Sequence, residues 1–178
     1  MAVHGSALLI PFLTEATSKT IVLEALIVVA AFYALSEALR LEGARLPLIT
    51  EFTLRMSHDD ERPHFVARPI YLAAGVLLSL VLFPRNAAYA SITIVAVGDP
   101  VASYIGQRFG RRRIGRKTLE GFAAGLVASS VAALLWVHPA TALIGSVAGM
   151  SVELIGTVDD NLTTPIGAGL AMIVAGVL

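Results

Sequence analysis

The feature that most constrains the fold of this chain is a repetition of apolar stretches, each about as long as a bilayer is thick. Six such stretches follow one another, separated by short polar connections. A helix needs about 20 apolar residues to cross the hydrocarbon core, because each residue advances it by about 1.5 Å. We therefore predict an all-α, polytopic membrane protein, with one catalytic domain over 1–178 and about six transmembrane helices at 20–39, 66–83, 87–107, 118–136, 140–156 and 162–178.

The composition supports this fold class and excludes several others. Apolar residues make up 56% of the chain and charged residues 15%, whereas soluble domains have about 45–50% and about 25%. A water-soluble, disordered or nucleic-acid-binding protein is not expected from these values. The chain has no cysteine, which excludes disulfides, thiolate chemistry and Cys-based metal sites.

The positions of the basic residues predict the orientation, because cytoplasmic loops carry an excess of Lys and Arg. With six spans and the N-terminus outside, 11 of the 13 basic residues lie on the inner side, and only Lys19 and Arg85 lie on the outer side. The polar connections 40–65, 108–117 and 157–161 then all face the cytoplasm. Residues 8–13 are too short to span, and we expect them to lie at the interface. Any chemistry is predicted at the cytoplasmic face of the cell membrane.

Six carboxylates lie in or beside the predicted spans near this inner face. A charge inside a span costs at least a few kcal/mol, so its presence requires an explanation. Asp99 is the deepest, and the adjacent Gly98 and Pro100 predict a broken helix, which is tolerated where protein or water lines it. The others lie within about two turns of the inner face: Glu37, Glu120, Glu153, Asp159 and Asp160. Pairing with loop arginines is an equally good interpretation of Glu37 or Glu120 alone.

A basic segment accompanies these carboxylates, since residues 108–117 contain six Lys and Arg. Magnesium is a hard ion that carboxylates hold together with substrate phosphates. Arginine binds phosphate oxygens through two donors, and lysine acts as a point charge. The combination predicts a nucleotide or diphosphate bound as its Mg²⁺ complex. The alternative for residues 111–113 is an anchor to anionic lipid headgroups.

Three sequence blocks resemble one family. They are Gly98-Asp99-Pro100 with Phe109-Gly110 and Lys117-Thr118-Leu119-Glu120-Gly121; Glu153 with Asp159-Asp160-Asn161 and Pro165; and Ser36-Glu37 with Arg40. Over about 36–165 the chain resembles the CTP-dependent lipid-alcohol kinases, namely dolichol kinase, phytol kinase and the CTP-using diacylglycerol kinase. It is more distantly similar to phosphatidate cytidylyltransferases. Their basic stretch and Gly-Gly-x-x-Asp-Arg-x-Asp ending are missing, because no Lys or Arg follows Lys117.

The resemblance implies transfer of the γ-phosphoryl group of CTP to the hydroxyl of a lipid alcohol such as dolichol or polyprenol. The candidate Mg²⁺ ligands are Asp99, Asp159 and Asp160. The candidate groups that neutralise the triphosphate are Lys117, Arg111, Arg112, Arg113 and Arg116. Glu120 or Glu153 would position a metal-bound water or accept the hydroxyl proton. Thr118 would cap span four beside the phosphates, Asn161 would orient the nucleotide or the metal, and Glu37 and Arg40 would pair across the site.

Other polar residues have weaker interpretations. Residues 58–62 form either a rim that covers the nucleotide or a solvated loop. We expect no role for His4, His64 and His138, because they show no partner spacing. The lipid would enter sideways between spans, and a homodimer is compatible with the sequence.

Two other functions stay open at this point. A cytidylyltransferase that makes a CDP-activated lipid from a phospholipid acid would share CTP, Mg²⁺ and the membrane. A small transporter or channel subunit would also carry intramembrane carboxylates. Transport requires polar groups near the midplane, however, and the outer half has almost none apart from Glu24.

Overall fold

A computed structural model describes residues 2–44, 46–56, 63–115, 117–156 and 159–176. The described residues form nine helices and one short β-hairpin, so the prediction of an all-α chain is confirmed. The helices are α1 (Ala2–Ala7), α2 (Ile10–Ala16), α3 (Lys19–Leu41), α4 (Pro47–Met56), α5 (Arg68–Leu82), α6 (Arg85–Phe109), α7 (Leu119–Ala133), α8 (Pro139–Ile155) and α9 (Asp160–Val174). The antiparallel hairpin pairs β1 (Arg113–Ile114) with β2 (Lys117–Thr118).

Each predicted span corresponds to one helix, namely α3 or one of α5 to α9. By length and composition, α3 and α6 could cross a bilayer, since their 23 and 25 residues extend over about 34 and 37 Å. Among the described helices only these two meet that criterion, whereas α5, α7 and α8 are apolar but shorter. Pro84 contributes to the difference, because proline cannot continue the preceding helix α5, and residues 134–136 of the fourth predicted span lie in turns after α7.

The central element of the bundle is α6, which packs against α5, α7, α8 and α9. Nearly every side chain from position 87 to 96 is buried. Glycine allows α7 to approach closely, since a Cβ on Gly121 would lie 2.5 Å from the carbonyl oxygen of Ala102. The spacing of Gly121 and Gly125 therefore serves helix packing.

The helix α6 continues through Gly98, Asp99 and Pro100, so the prediction of a broken helix is wrong at this point. Proline removes one backbone donor, which would otherwise bond to the carbonyl of Ala96. Packing compensates, because a Cβ on Gly98 would lie only 2.7 Å from the Sδ of Met150 in α8. Asp99 is therefore presented by an intact, tightly enclosed helix.

The two N-terminal helices differ most from expectation. The prediction from the sequence is that residues 8–13 lie at the interface, with the N-terminus outside. Instead the N-terminal segment runs along α6 in the opposite direction, since His4 contacts Asp99 and Glu15 pairs with Arg85 at the start of α6. Phe12 anchors it, with its ring centroid 5.1 Å from that of Trp136. The first described residues thus lie beside Asp99, and the segment reaches the other end of the bundle before α3 returns.

The polar connections meet at one end of the bundle, which we call the site end. The connection predicted over 40–65 contains the amphipathic helix α4. Arg40 at the end of α3 donates to the carbonyl of His64, 2.7 Å away, just before α5. The hairpin joins α6 to α7 at this end, and a short connection joins α8 to α9.

Candidate functional site

Three carboxylates from three different helices meet at the site end. Asp99 of α6, Glu153 of α8 and Asp160 of α9 each offer an oxygen, and these oxygens all lie within 4.8 Å of one another. We call these residues the carboxylate cluster. Glu153 is buried, with 2% of its surface exposed, and the other two are partly buried. Helix ends supply two of them, because Glu153 lies near the end of α8 and Asp160 begins α9.

The ammonium group of Lys117 lies among these carboxylates. Its Nζ is 2.8 Å from Oε1 of Glu153, 2.9 Å from Oδ2 of Asp160 and 3.6 Å from Oδ1 of Asp99. The hairpin presents this side chain, since Lys117 begins β2 after a turn in which Gly115 adopts a φ of +59°. A left-handed backbone of this kind is available to glycine at no steric cost.

The electrostatics of the cluster are dominated by crowding of negative charge. Burial alone would lower the pKa of Lys117, but the charges of Glu153 and Asp160 outweigh it and raise that pKa above its ordinary value. Three ionised carboxylates and one ammonium carry a formal charge of −2.

The donor set fits a hard divalent cation such as Mg²⁺. All three candidate ligands are carboxylate oxygens, which such ions prefer. One divalent ion would cancel the formal charge of −2. In addition, Oε2 of Glu153 is buried and has no hydrogen-bond partner among the described residues. An unsatisfied buried carboxylate oxygen is costly in a folded protein unless it has a ligand to bind.

Asp159 was predicted as a metal ligand, and the structure gives it a different role. Its Oδ1 accepts hydrogen bonds from the backbone N–H of Asn161 at 3.0 Å and from Nδ2 of the same residue at 2.8 Å. It is therefore the N-cap of α9, and a capping side chain must turn back toward its own helix. Glu153, predicted as a catalytic carboxylate, takes its place in the cluster.

Asn161 is buried at the start of α9 and lies between two polar partners. Its amide nitrogen donates to Asp159, and its Oδ1 is in hydrogen-bond contact with Nε2 of His4. The same His4 nitrogen lies 3.1 Å from Oδ2 of Asp99. No role is predicted for His4 from the sequence, because its partners lie far away along the chain.

Glu120 lies outside the carboxylate cluster, against the expectation that it acts at the metal or as a base. Its carboxylate accepts the backbone N–H of Arg111 at 3.0 Å and that of Arg112 at 3.2 Å. It therefore anchors the segment that leads into the hairpin. Thr118 caps α7 as predicted, since its Oγ1 accepts the N–H of Gly121 at 3.2 Å.

The arginines predicted to neutralise the triphosphate do not all lie at the site. Arg111, Arg112 and Arg113 are all exposed, and of these three only Arg113 lines the cavity described below. Arg116 lies outside the described residues, as do residues 58–62 of the predicted rim.

Glu37 and Arg40 pair with each other along α3 and not across the site. The guanidinium group donates through two nitrogens at 2.6 and 2.9 Å. The carboxylate also accepts the N–H of Val66 at 2.9 Å. The pair joins the end of α3 to the segment before α5, and neither side chain lines the cavity.

A cavity of about 1230 Å³ opens over the carboxylate cluster. Single small-molecule sites usually enclose about 300–1,000 Å³, so this cavity is large enough for a nucleotide and the reacting end of a second substrate. One part contains the cluster with Lys117 and Arg113. The same cavity is also lined by Tyr33 of α3 and by Tyr71 and Leu72 of α5.

Comparison of the chain with protein-family models, with curated proteins and with solved structures finds no match.

Proposed function

We propose that the chain is a membrane-embedded kinase that transfers the γ-phosphoryl group of CTP to the hydroxyl of a lipid alcohol, with dolichol or polyprenol as the expected class. The observation that carries the proposal is the carboxylate cluster with Lys117, set at the end of an apolar bundle and open to a large cavity. Phosphoryl transfer depends mainly on positioning and on neutralising charge, and these groups are suited to both tasks. The choice of CTP and of a lipid alcohol comes from the sequence resemblance.

The proposal includes six transmembrane helices, α3 and α5 to α9, with the start of α3 outside and the site end facing the cytoplasm. Two of these helices have the length and apolarity to cross a bilayer. The shorter ones extend over about 22–26 Å, which a locally thinned bilayer accommodates at modest cost. The charge distribution supports this orientation, since Arg85 lies at the far end of α6 while Arg108 and Lys117 lie toward the site end.

In this proposal Asp99, Glu153 and Asp160 hold the magnesium ion. When bound, the ion neutralises charge on the phosphates. Lys117 and Arg113 bind phosphate oxygens, and Asn161 contributes to orienting the nucleotide. The tyrosine-lined part of the cavity receives the acceptor, whose chain lies in the bilayer.

In the reaction, the acceptor hydroxyl oxygen forms a bond to the γ-phosphorus. The bond from that phosphorus to the bridging oxygen of the β-phosphate breaks, and CDP leaves. The hydroxyl proton passes to one of the carboxylates that line the cavity, and Glu120 is not the acceptor because the hairpin backbone engages it.

Labelled CTP tests the proposal directly. The purified protein in detergent is incubated with Mg²⁺, with CTP labelled at the γ- or the α-phosphate, and with polyprenol, geranylgeraniol, diacylglycerol or a phosphatidic acid. Label from the γ-position in the lipid product supports the kinase. Label from the α-position would instead show the cytidylyltransferase suggested by the shared Lys117-Thr118-x-Glu120-Gly121 block. Ion or solute flux into reconstituted vesicles without nucleotide turnover would show a transporter.

Two adjacent aspartates provide a matched test of the cation site. Asp160→Asn removes a ligand oxygen from the cluster, as does Asp99→Asn, and each should abolish transfer. Asp159→Asn is the control, because asparagine is also a good N-cap; we expect it to keep activity within a few-fold. If both cluster variants retain more than about a tenth of the activity, which corresponds to about 1.4 kcal/mol, the metal assignment is wrong.

A further inference from the structure

The N-terminal helix α1 brings an imidazole into contact with the candidate metal site. His4 lies on this helix, which packs against α6 and α5. The His4 side chain is 15% exposed and lines the cavity. Its two recorded contacts, to Asp99 of α6 and Asn161 of α9, are both made by Nε2. One ring therefore connects the two helices that supply Asp99 and Asp160.

The hydrogen-bond pattern assigns the proton on this ring. Nδ2 of Asn161 donates to Oδ1 of Asp159 at 2.8 Å, so the amide turns its carbonyl oxygen toward His4. The other partner of Nε2 is a carboxylate oxygen, which is an acceptor when ionised. Two acceptors facing one nitrogen require that Nε2 carries the hydrogen. His4 is thus a donor to both neighbours.

This contact distinguishes the two oxygens of Asp99. Oδ2 faces His4 at 3.1 Å. Oδ1 faces Ser103 at 3.4 Å and Lys117 at 3.6 Å. The imidazole therefore fixes the rotation of the carboxylate so that Oδ1 is presented to the carboxylate cluster.

We infer that His4 is a positioning residue of the cation site: it donates from Nε2 to Oδ2 of Asp99 and to Asn161, and so orients Oδ1 of Asp99 toward the divalent cation. The inference rests on the proposed function, because it concerns the same site. Groups that orient metal ligands in this way typically contribute about 10- to 100-fold to metal affinity or activity.

The test measures binding of Mn²⁺ alone, followed by the loss of the electron paramagnetic resonance signal of the free ion. Four forms of the full chain in detergent are compared: wild type, His4→Leu, His4→Gln and His138→Leu. His4→Leu removes the donor, whereas His4→Gln retains an N–H near the position of Nε2. His138 is the N-cap residue of α8 with no side-chain cap bond, so His138→Leu controls for loss of an imidazole elsewhere. Thermal unfolding of each form establishes that it is folded.

We expect His4→Leu to weaken Mn²⁺ binding by about 10- to 100-fold, and His4→Gln and His138→Leu to bind within about threefold of wild type. In turnover assays, the Mg²⁺ concentration for half-maximal rate should rise for His4→Leu. The KM for CTP at saturating Mg²⁺ should stay the same, which a general loss of structure would not produce.

Several results would overturn the inference. Wild-type affinity in His4→Leu would show that His4 does not orient the site, and tighter binding would show that it competes with the cation for Asp99. Equal weakening in His4→Leu and His4→Gln would show that the N–H donor is not the relevant group. If wild type binds no Mn²⁺ and Asp99→Asn transfers phosphate at the wild-type rate, the proposed cation site is wrong. The inference about His4 is then wrong as well.

Discussion

Replacing Glu153 by glutamine should separate the stability of the bundle from its function. The variant keeps the shape of the side chain and removes one negative charge from the carboxylate cluster. At 4.8 Å, the upper limit of the separations in the cluster, two like charges repel by roughly 3.5 kcal/mol at an effective dielectric constant of about 20. Glu153 has two such neighbours, so its charge costs about 7 kcal/mol of repulsion.

The attraction of Lys117 offsets most of this repulsion. At the observed 2.8 Å, the same estimate gives about 6 kcal/mol of attraction. The difference is about 1 kcal/mol in favour of removing the charge. We therefore expect the free energy of unfolding without divalent cations to stay the same or to rise by about 1 kcal/mol in Glu153→Gln. Phosphoryl transfer should nevertheless fall by more than tenfold.

With magnesium, wild type should become more stable to unfolding than Glu153→Gln. A ligand at about 100 times its dissociation constant stabilises the folded state by about 2.7 kcal/mol. Wild type should gain this increment, and the variant should gain much less because it has lost a ligand oxygen. Unfolding is followed in detergent with EDTA and then with Mg²⁺. The exposed Glu51, paired with Arg55 on α4, supplies the control variant Glu51→Gln, for which we expect a change of at most about 0.5 kcal/mol.

A different outcome would refute the reasoning. If Glu153→Gln loses more than about 2 kcal/mol in EDTA, well beyond the charge estimate, and gains as much from Mg²⁺ as wild type does, Glu153 is a structural partner of Lys117. The cluster would then be a buried ion-pair network and not a cation site.

Three further predictions concern the framework, each measured by unfolding in detergent. Gly125→Leu should destabilise by about 1–3 kcal/mol or more, because α7 has no space for a side chain against Ala102, and an unchanged stability would contradict the packing. Thr118→Ala should cost about 1 kcal/mol through loss of the α7 cap, whereas Thr118→Ser should cost little; equal losses would argue against capping. Arg40→Met removes the charge partner of the buried Glu37 carboxylate and should lower the free energy of unfolding by about 3–5 kcal/mol. The KM for CTP should not change, and a raised KM would indicate that this pair contributes to nucleotide binding.

The sequence predicted the helices well because the signal for them is local. Apolar runs and the residues that interrupt them are read directly along the chain, and the predicted spans match the helices to within a few residues. Asp99 and Asp160 are predicted as ligands because they are carboxylates in or beside the spans, and Lys117 because it belongs to the basic segment 108–117; the structure brings these three side chains together. The continuation of α6 through Pro100 could not be predicted, because tertiary packing around Gly98 overrides the local tendency of proline to break a helix.

The remaining errors come from side-chain direction and from contacts distant in sequence. Asp159 and Asp160 are equivalent by composition, but only one of them can cap α9 while the other faces the cluster. The pattern Asp-Asp-Asn at a helix start is typical of an N-cap and could have suggested this division. No comparable signal existed for His4, whose partner Asn161 is 157 positions away and is selected by the packing of α1.

The contact between α1 and α9 has a consequence for biogenesis. The histidine is synthesised well before its partner Asn161 on α9, which follows 157 positions later, so a nascent chain cannot complete the proposed cation site until α9 has been made. Loop closure over such a separation is entropically costly and comes late in assembly. A ribosome-stalled or truncated chain that ends before α9 would carry most of the apolar bundle and still hold no complete site.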